Sequence, residues 1–314
     1  MKDGRRVFIT GGAGYIGSVL TRALLARGFR VTVLDNFLYR QTSLLECCHK
    51  EGLEIIRGDC RDERILNDLL PRMDLLIPLA ALVGAPACDR DRVGALTTNL
   101  EAIRLLCKLS SPQQWLLFPT TNSGYGIGQP GVLCTEQSPL RPISLYGETK
   151  VQAEQVVLDR GNAVALRLAT VFGPSPRMRV DLLVNDFVWH AVHDRAVVIF
   201  EGHAKRNYIH VRDVARAFLH VIDQFDAVKN QPYNVGLDDA NLSKLELCRV
   251  IQRVLPEFVF FEAPIGRDPD QRDYTVSSAR FRATGYRPVW SLEEGIEELI
   301  KAYTIMGSMR YGNT

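Results

Sequence analysis

Arg6-Val7-Phe8-Ile9-Thr10-Gly11-Gly12-Ala13-Gly14-Tyr15-Ile16-Gly17 is the stretch that decides the fold. Its opening is a short apolar run suited to a buried parallel strand. Beyond it, Ser18-Val19-Leu20-Thr21-Arg22-Ala23-Leu24-Leu25-Ala26-Arg27-Gly28 has helical spacing and stops at a glycine. In such a strand, glycine turn and helix, backbone N–H groups and the helix N-terminus face a pyrophosphate. Glycines at 11, 14 and 17 let the chain turn, approach the phosphates and pack the helix on the strand. A lone glycine pattern is more often a plain turn. Here both flanks are of the required kind, so Gly11, Gly14, Tyr15, Ile16 and Gly17 are assigned to a dinucleotide cofactor.

Working outward, Arg30-Val31-Thr32-Val33-Leu34 reads as the second strand and ends at Asp35, followed by Asn36. A carboxylate there accepts hydrogen bonds from the adenosine ribose and repels a 2′-phosphate, which favours NAD over NADP. Arg40 nearby leaves a small opening for the phosphorylated form. Asp59, after the third strand, reads equally as an adenine contact or as a capping aspartate in a turn. Strands are expected near 5–10, 30–35, 53–57, 74–79, 114–119 and 163–168, and helices over roughly 16–27, 62–70, 92–109 and 145–159. That alternation predicts an α/β fold with a Rossmann-type doubly wound parallel sheet.

After residue 172 the segments shorten and carry many prolines and scattered arginines, which suggests a smaller lobe closing over a ligand. The expected division is a nucleotide-binding domain over 1–172, with a returning segment at about 207–235. The substrate lobe takes 173–206 and 236–306, and 307–314 is a tail. Val211-Arg212-Asp213-Val214-Ala215-Arg216-Ala217-Phe218-Leu219 reads as a helix within the return, and Ser291 caps a final helix. No repeat or low-complexity linker is visible.

Composition excludes several classes. A net charge of +2 over 314 residues gives no basic excess for nucleic acid. The apolar runs are strand-length, short of the ~20 residues of a membrane span. Met1–Arg6 leads directly into the first strand, leaving no room for a signal peptide. Cys47, Cys48, Cys60, Cys88, Cys107, Cys134 and Cys248 are odd in number and lack metal-ligand spacing, so reduced thiols, no metal and a cytoplasmic location are expected.

The chemistry is carried by Tyr146 and Lys150, in Ser144-Leu145-Tyr146-Gly147-Glu148-Thr149-Lys150. Four residues apart on a helix, they share a face. A free phenol titrates near pH ~10, and a neighbouring ammonium is expected to draw it toward the range of a general base. YxxxK alone is weak; behind a cofactor-binding opening it points to proton abstraction.

With TGGAGYIG at 10–17, Leu79-Ala80-Ala81, Asn99, Tyr146/Lys150, Arg206-Asn207-Tyr208-Ile209-His210-Val211 and Asn234-Val235-Gly236, the chain resembles the extended short-chain dehydrogenase/reductases of the nucleotide-sugar epimerase and dehydratase group. The resemblance spans nearly the whole length. It implies that the tyrosine takes the proton from a sugar hydroxyl while NAD accepts hydride from the same carbon, and that the lysine fixes the nicotinamide ribose. It adds Leu79, Ala80, Ala81 and Asn99 to the cofactor site and makes Thr121 the hydroxyl that binds the reacting oxygen. Dehydratases of the group follow that threonine with an aspartate and a glutamate. Here Asn122 and Ser123 stand there, so elimination lacks its acid/base pair, and a 4-dehydrogenase or a 4-epimerase remains.

The resemblance further implies substrate contacts from Asn122, Ser123, Thr170 (where the family often has asparagine), Arg177, Arg179, Asn185, Arg206 and Arg272. Asn185 is preferred to Asp186, and His203 and His210 are read as structural. The wording of 78–86, 121–128 and 167–179 resembles the sub-branch of GDP-heptose 4-dehydrogenases of bacterial capsule synthesis. This implies GDP-D-glycero-α-D-manno-heptose as substrate, NADH that stays bound, and 2-oxoglutarate as a re-oxidant. A homodimer through helices at 92–109 and 145–159 is expected, with Leu96, Leu100, Ile103, Leu106 and Cys107 on an apolar face that a buried intradomain position would equally explain. A non-catalytic NAD sensor on this fold would lack the Tyr–Lys pair, and a scaffold would need tails or repeats.

Overall fold

The structure, a computed structural model, describes residues 4–264 and 272–307. Apolar runs at Arg6–Thr10, Arg30–Asp35, Leu75–Pro78, Trp115–Thr121 and Ala163–Leu168 are buried on both faces, the condition under which parallel strands are stable. With Leu53–Arg57 and Gln231–Val235 they form a 7-stranded sheet in the order 231–235, 163–168, 115–121, 75–78, 6–10, 30–35, 53–57. Every pairing in it is parallel. The order reverses direction between Arg6–Thr10 and Leu75–Pro78, the switch point outside whose carboxyl ends ligands bind in such sheets.

The sheet is the expected one with one strand more. Gln231–Val235 pairs with Ala163–Leu168 at the outer edge, reached after the Val211–Asp223 helix returns to pack on the Tyr15–Ala26 helix. Two apolar clusters fill the two faces. One unites Val7, Ile9 and Leu166 with Val214, Phe218 and Val221, and the other joins Phe8, Leu76 and Phe118 to Leu106 and Val157.

The helix expected over 92–109 is interrupted. Arg92–Leu96 and Ala102–Leu109 are α-helical, and Thr97–Glu101 between them is a π-turn. Such turns insert a residue into the helical ladder and recur at functional sites. Leu100, Ile103 and Leu106 point into the chain's own core and are 3% exposed or less, so most of the face proposed for a dimer is spent inside the subunit. Leu96 and Val93 remain exposed.

Smaller sheets make up the rest. Lys205–His210 lies between Asn241–Ser243 and Thr170–Phe172, and Val259–Glu262 pairs with Ala196–Ile199. Ser291 accepts the Glu294 N–H in a capping box that opens the Leu292–Ile305 helix, as its spacing predicts. Residues 308–314, most of the expected tail, and Asp270 and Gln271 lie outside the described residues. Among the described residues no helix is long and apolar enough to cross a membrane, and no group of side chains is placed to hold a metal ion.

Candidate active site

A cavity of about 760 Å³ opens at the switch point and runs from the glycine loop to the smaller sheets. Its floor is set by close backbone approaches. A Cβ on Gly11 would lie 2.7 Å from the Ala80 nitrogen, and one on Gly17 would lie 2.3 Å from the Gly11 oxygen. Gly11 also adopts a φ of 74°, which side chains resist. Tyr15 to Ala26 form the helix whose first turn faces the cavity, and no side chain caps it. This cradle fits a dinucleotide pyrophosphate, with Gly11, Gly14, Tyr15, Ile16, Gly17, Leu79, Ala80 and Ala81 all lining it.

At the adenosine end, Asp35 is buried and its carboxylate accepts three hydrogen bonds: from Ala13 N at 3.0 Å, Phe37 N at 2.8 Å and Gln41 Nε2 at 3.1 Å. Burial raises its pKa against those bonds. Asn36 accepts from Leu38 N, and both residues line the cavity. Asp59 follows in the turn after the Leu53–Arg57 strand. It lines the cavity, and it also closes a turn on Arg61, whose guanidinium beside it lowers its pKa and continues to Thr97.

Three expected contacts turn away from the cavity. Asn99 sits behind the wall, where its Oδ1 accepts from Leu82 N at 2.8 Å and its Nδ2 donates to Leu82 O at 2.9 Å. It thereby holds the 79–84 loop from the π-turn. Asn185 is likewise inward, accepting from Gly173 N and donating to Arg179 O and Tyr15 Oη, while its neighbour Asp186 lines the cavity. That reverses the order of preference between the two. Asn122 is fully buried beneath the wall, with neither amide atom bonded to another protein group.

The reacting end is compact. Tyr146 lies in the first turn of the Leu145–Arg160 helix, which Ser144 caps by accepting the Gly147 N–H. Its phenol feels the Thr121 hydroxyl, which draws its pKa down slightly, and Thr121 Oγ1 donates to Ser123 Oγ at 2.8 Å. Arg272 donates to the same Ser123 oxygen, so the guanidinium is brought beside the tyrosine. Lys150 is buried, with Nζ 4.0 Å from the centre of the Phe118 ring.

The electrostatics differ from the sequence expectation. Burial pushes the Tyr146 phenol up to about 12, and the leading opposing charge is Arg272, not Lys150. Burial also pushes Lys150 down to about 7, against the pull of Glu154 one turn along. Sequence spacing named the neighbour but not the desolvation that outweighs it.

Among the remaining arginines, Arg206 is buried, lines the cavity and lies 5.8 Å from the Tyr274 ring centre. Arg177 lies over the Tyr39 ring at 4.5 Å and acts electrostatically on Asp35, toward that end of the cavity. Arg179 pairs with Asp181, and Thr170 lines the wall. His210 is a structural residue: it caps the Val211–Asp223 helix by accepting Arg212 N, and burial lowers its pKa to about 4. His203 is exposed and outside the cavity. Sequence reasoning missed Tyr39, Gln41, Arg61, Phe200, Lys244 and Tyr274 as lining residues. Aromatic residues in loops were the one signal that pointed to Tyr39 and Tyr274.

A family model, the NAD dependent epimerase/dehydratase family, matches residues 7–236. The chain belongs to that family. Low-salt glycan biosynthesis protein Agl12 of Haloferax volcanii is 29% identical over 95% of this chain and 98% of its own. UDP-glucuronic acid decarboxylase 2 of Arabidopsis thaliana is 26% identical over 100% of this chain and 72% of the relative. Among solved structures, the Thermus thermophilus UDP-glucose 4-epimerase complex with NAD superposes with a TM-score of 0.81 at 25% identity, covering 95% of this chain and 99% of that one. NAD is the cofactor, consistent with the glycine cradle and with the carboxylate of Asp35 at the end of the second strand, which would repel a 2′-phosphate. The protein is thus an NAD-dependent member of the epimerase/dehydratase family.

Proposed function

We propose that this enzyme oxidises the C4 hydroxyl of a nucleotide-linked sugar to a 4-keto sugar. The observation that carries this is the Tyr146–Thr121–Ser123–Arg272 cluster, which can hold and deprotonate a hydroxyl but contains no carboxylate. Thr121 orients the reacting oxygen and Tyr146 receives its proton. NAD, held by the glycine cradle and Asp35, supplies the hydride acceptor. With a phenol this high, proton removal depends on positive charge assembled around Tyr146, which Arg272 leads. Arg206 and Arg272 meet the diphosphate with paired guanidinium donors.

The favoured substrate is GDP-D-glycero-α-D-manno-heptose, in cytoplasmic synthesis of a bacterial surface polysaccharide, a reading that rests on the wording of the motifs at 78–86, 121–128 and 167–179. Net oxidation leaves the reduced cofactor to be returned to NAD, and 2-oxoglutarate is the proposed re-oxidant. The working unit is proposed to be a homodimer, with exposed Val93 and Leu96 as the part of the expected interface still available.

A second reading, a nucleotide-sugar 4-epimerase, is favoured by the likeness to the Thermus thermophilus UDP-glucose 4-epimerase and uses the same side chains. Mass spectrometry of products from GDP-, UDP-, CDP- and dTDP-sugars separates the two. Oxidation gives a product two hydrogens lighter, whereas epimerisation leaves the mass unchanged. An enzyme-dependent loss of water would refute the reading of Asn122 and Ser123, and loss of CO₂ would place the chain with its decarboxylase relatives.

A further inference from the structure

The Ala163–Leu168 strand is apolar but for Arg167, and that one arginine is buried together with its partner, Glu154. Arg167 Nε and Nη2 donate to Glu154 Oε1 at 3.0 and 2.6 Å, and Nε also reaches Oε2 at 3.2 Å. Nη1 is tied elsewhere, to Tyr125 Oη at 3.0 Å and to the Glu136 carbonyl at 3.2 Å. Tyr125 Oη in turn donates to Asn234 Oδ1 at 2.7 Å. The guanidinium is thus held from three segments, and the guanidinium holds the carboxylate. Such a pair is a poor source of stability, since apolar residues of similar volume often serve as well. What it supplies is a negative charge fixed in place.

That charge lies one turn beyond Lys150 on the Leu145–Arg160 helix, and Tyr146 lies one turn before it, so the three share a face. Tyr146 and Lys150 line the ligand cavity, with Glu154 behind them. Other titratable and charged groups approach the helix from its neighbours. Cys88, from the Ala85–Arg90 helix, and Arg179 and Arg272, from the cavity wall, act on Tyr146. Cys107, from the Ala102–Leu109 helix, acts on Arg160 at the far end. The Trp115–Thr121 strand presents Lys150 with the uncharged Phe118 ring. Among the described residues the charge that acts on Lys150 is that of Glu154, opposing the burial that pushes the ammonium down to about 7. A group poised there is charged or neutral at the working pH according to a modest push.

We infer that Glu154 is a positioning residue for the chemistry of this enzyme: its carboxylate, locked by Arg167, keeps Lys150 an ammonium in the cavity wall. Without it the amine would lose its proton near neutral pH, and the cavity would lose a positive charge one turn from the phenol. This rests on the oxidation reading above and deepens it, but the proton on Lys150 can be followed with no substrate present, so the two fail separately.

The test is the pH dependence of Lys150 acetylation by acetic anhydride in the cofactor-free protein, followed on the Lys150 peptide by mass spectrometry. Only the neutral amine reacts, so the midpoint of the rate marks its proton affinity. The wild type should give a midpoint near 7. Loss of a nearby opposite charge weakens proton affinity by about tenfold or more, so Glu154→Gln should move the midpoint down by that factor. Damage to packing would move it the other way, toward the ~10.5 of an exposed lysine. Glu154→Met/Arg167→Met leaves no unpaired charge and covers the case in which the single variant does not fold; its midpoint should fall as well. An unchanged or raised midpoint in the folded variants would overturn the assignment. Turnover supplies the second readout, with whichever GDP- or UDP-sugar the wild type oxidises. Glu154→Gln should run about tenfold below the wild type above pH 7 and match it well below, whereas a deficit equal at every pH would mark a merely structural role. A wild type that oxidises none of these sugars would refute the reading beneath and leave the lysine titration to stand by itself.

Discussion

Replacing Lys150 by methionine should make the cofactor-free protein more stable at low pH and not at high pH. Lys150 is 5% exposed and its pKa falls from 10.5 to about 7 on folding, because burial penalises the charged form. Below pH 7 the group is protonated in both states, and the folded state bears the whole penalty. Between about 7 and 10.5 the unfolded chain holds the proton more tightly, so stability rises with pH. Above 10.5 neither state is charged and the penalty is gone. At 1.36 kcal/mol per tenfold change in affinity, the full swing is roughly 5 kcal/mol, a large part of the ~5–15 kcal/mol that holds a domain together. Methionine keeps much of the length and the contact with Phe118 without the charge. Urea midpoints of both proteins at pH 6 and near pH 10.5 provide the assay, since other titrating groups cancel in the difference. The variant should be several kcal/mol more stable at pH 6 and nearly equal near pH 10.5. A difference that does not vary with pH, or a variant less stable at pH 6, would show that the ammonium is not desolvated in this way.

Tyr146→Phe should retain NAD yet lower sugar turnover by ~10²–10⁴-fold, the usual loss on removing a general base; near-normal turnover would exclude Tyr146 as the base. Gly17→Ala should abolish NAD retention, because the new methyl meets backbone oxygen and carbon that cannot move aside, and the cofactor content of the purified protein reports it. Glu154→Gln should destabilise by about 3–5 kcal/mol, since it leaves the buried Arg167 without its carboxylate. Thermal melts of that variant indistinguishable from the wild type would show the pair to be energetically idle.

The cofactor end was legible because its signals are local. Strand, glycines and helix lie within one stretch, and Asp35 follows its strand directly, so spacing alone places them. The seventh strand was not, since Gln231–Val235 is short, contains a proline and sits at an edge, and its pairing depends on a segment 67 residues earlier. Amides were the hardest side chains to place. Asn99 and Asn185 turn toward backbone partners and Asn122 lies buried, and a sequence does not say which side of a wall an amide faces. The charge balance at Tyr146 failed for a related reason: neighbours can be counted from a helix, whereas burial and the approach of Arg272 from a distant loop cannot.

The position of Gln231–Val235 governs how this chain can be made. The strand completes the seven-stranded sheet, yet it leaves the ribosome only after the 173–206 segment, which adds no strand to that sheet. Until then Ala163–Leu168, wholly apolar but for one arginine, has an open edge, the kind of surface that recruits other chains. The nucleotide-binding half is thus not a separable module in time or in sequence. A fragment ending at residue 172 should aggregate, whereas one reaching past Val235 contains every strand of its sheet, so the smallest autonomous folding unit already carries the 173–206 segment as an insertion.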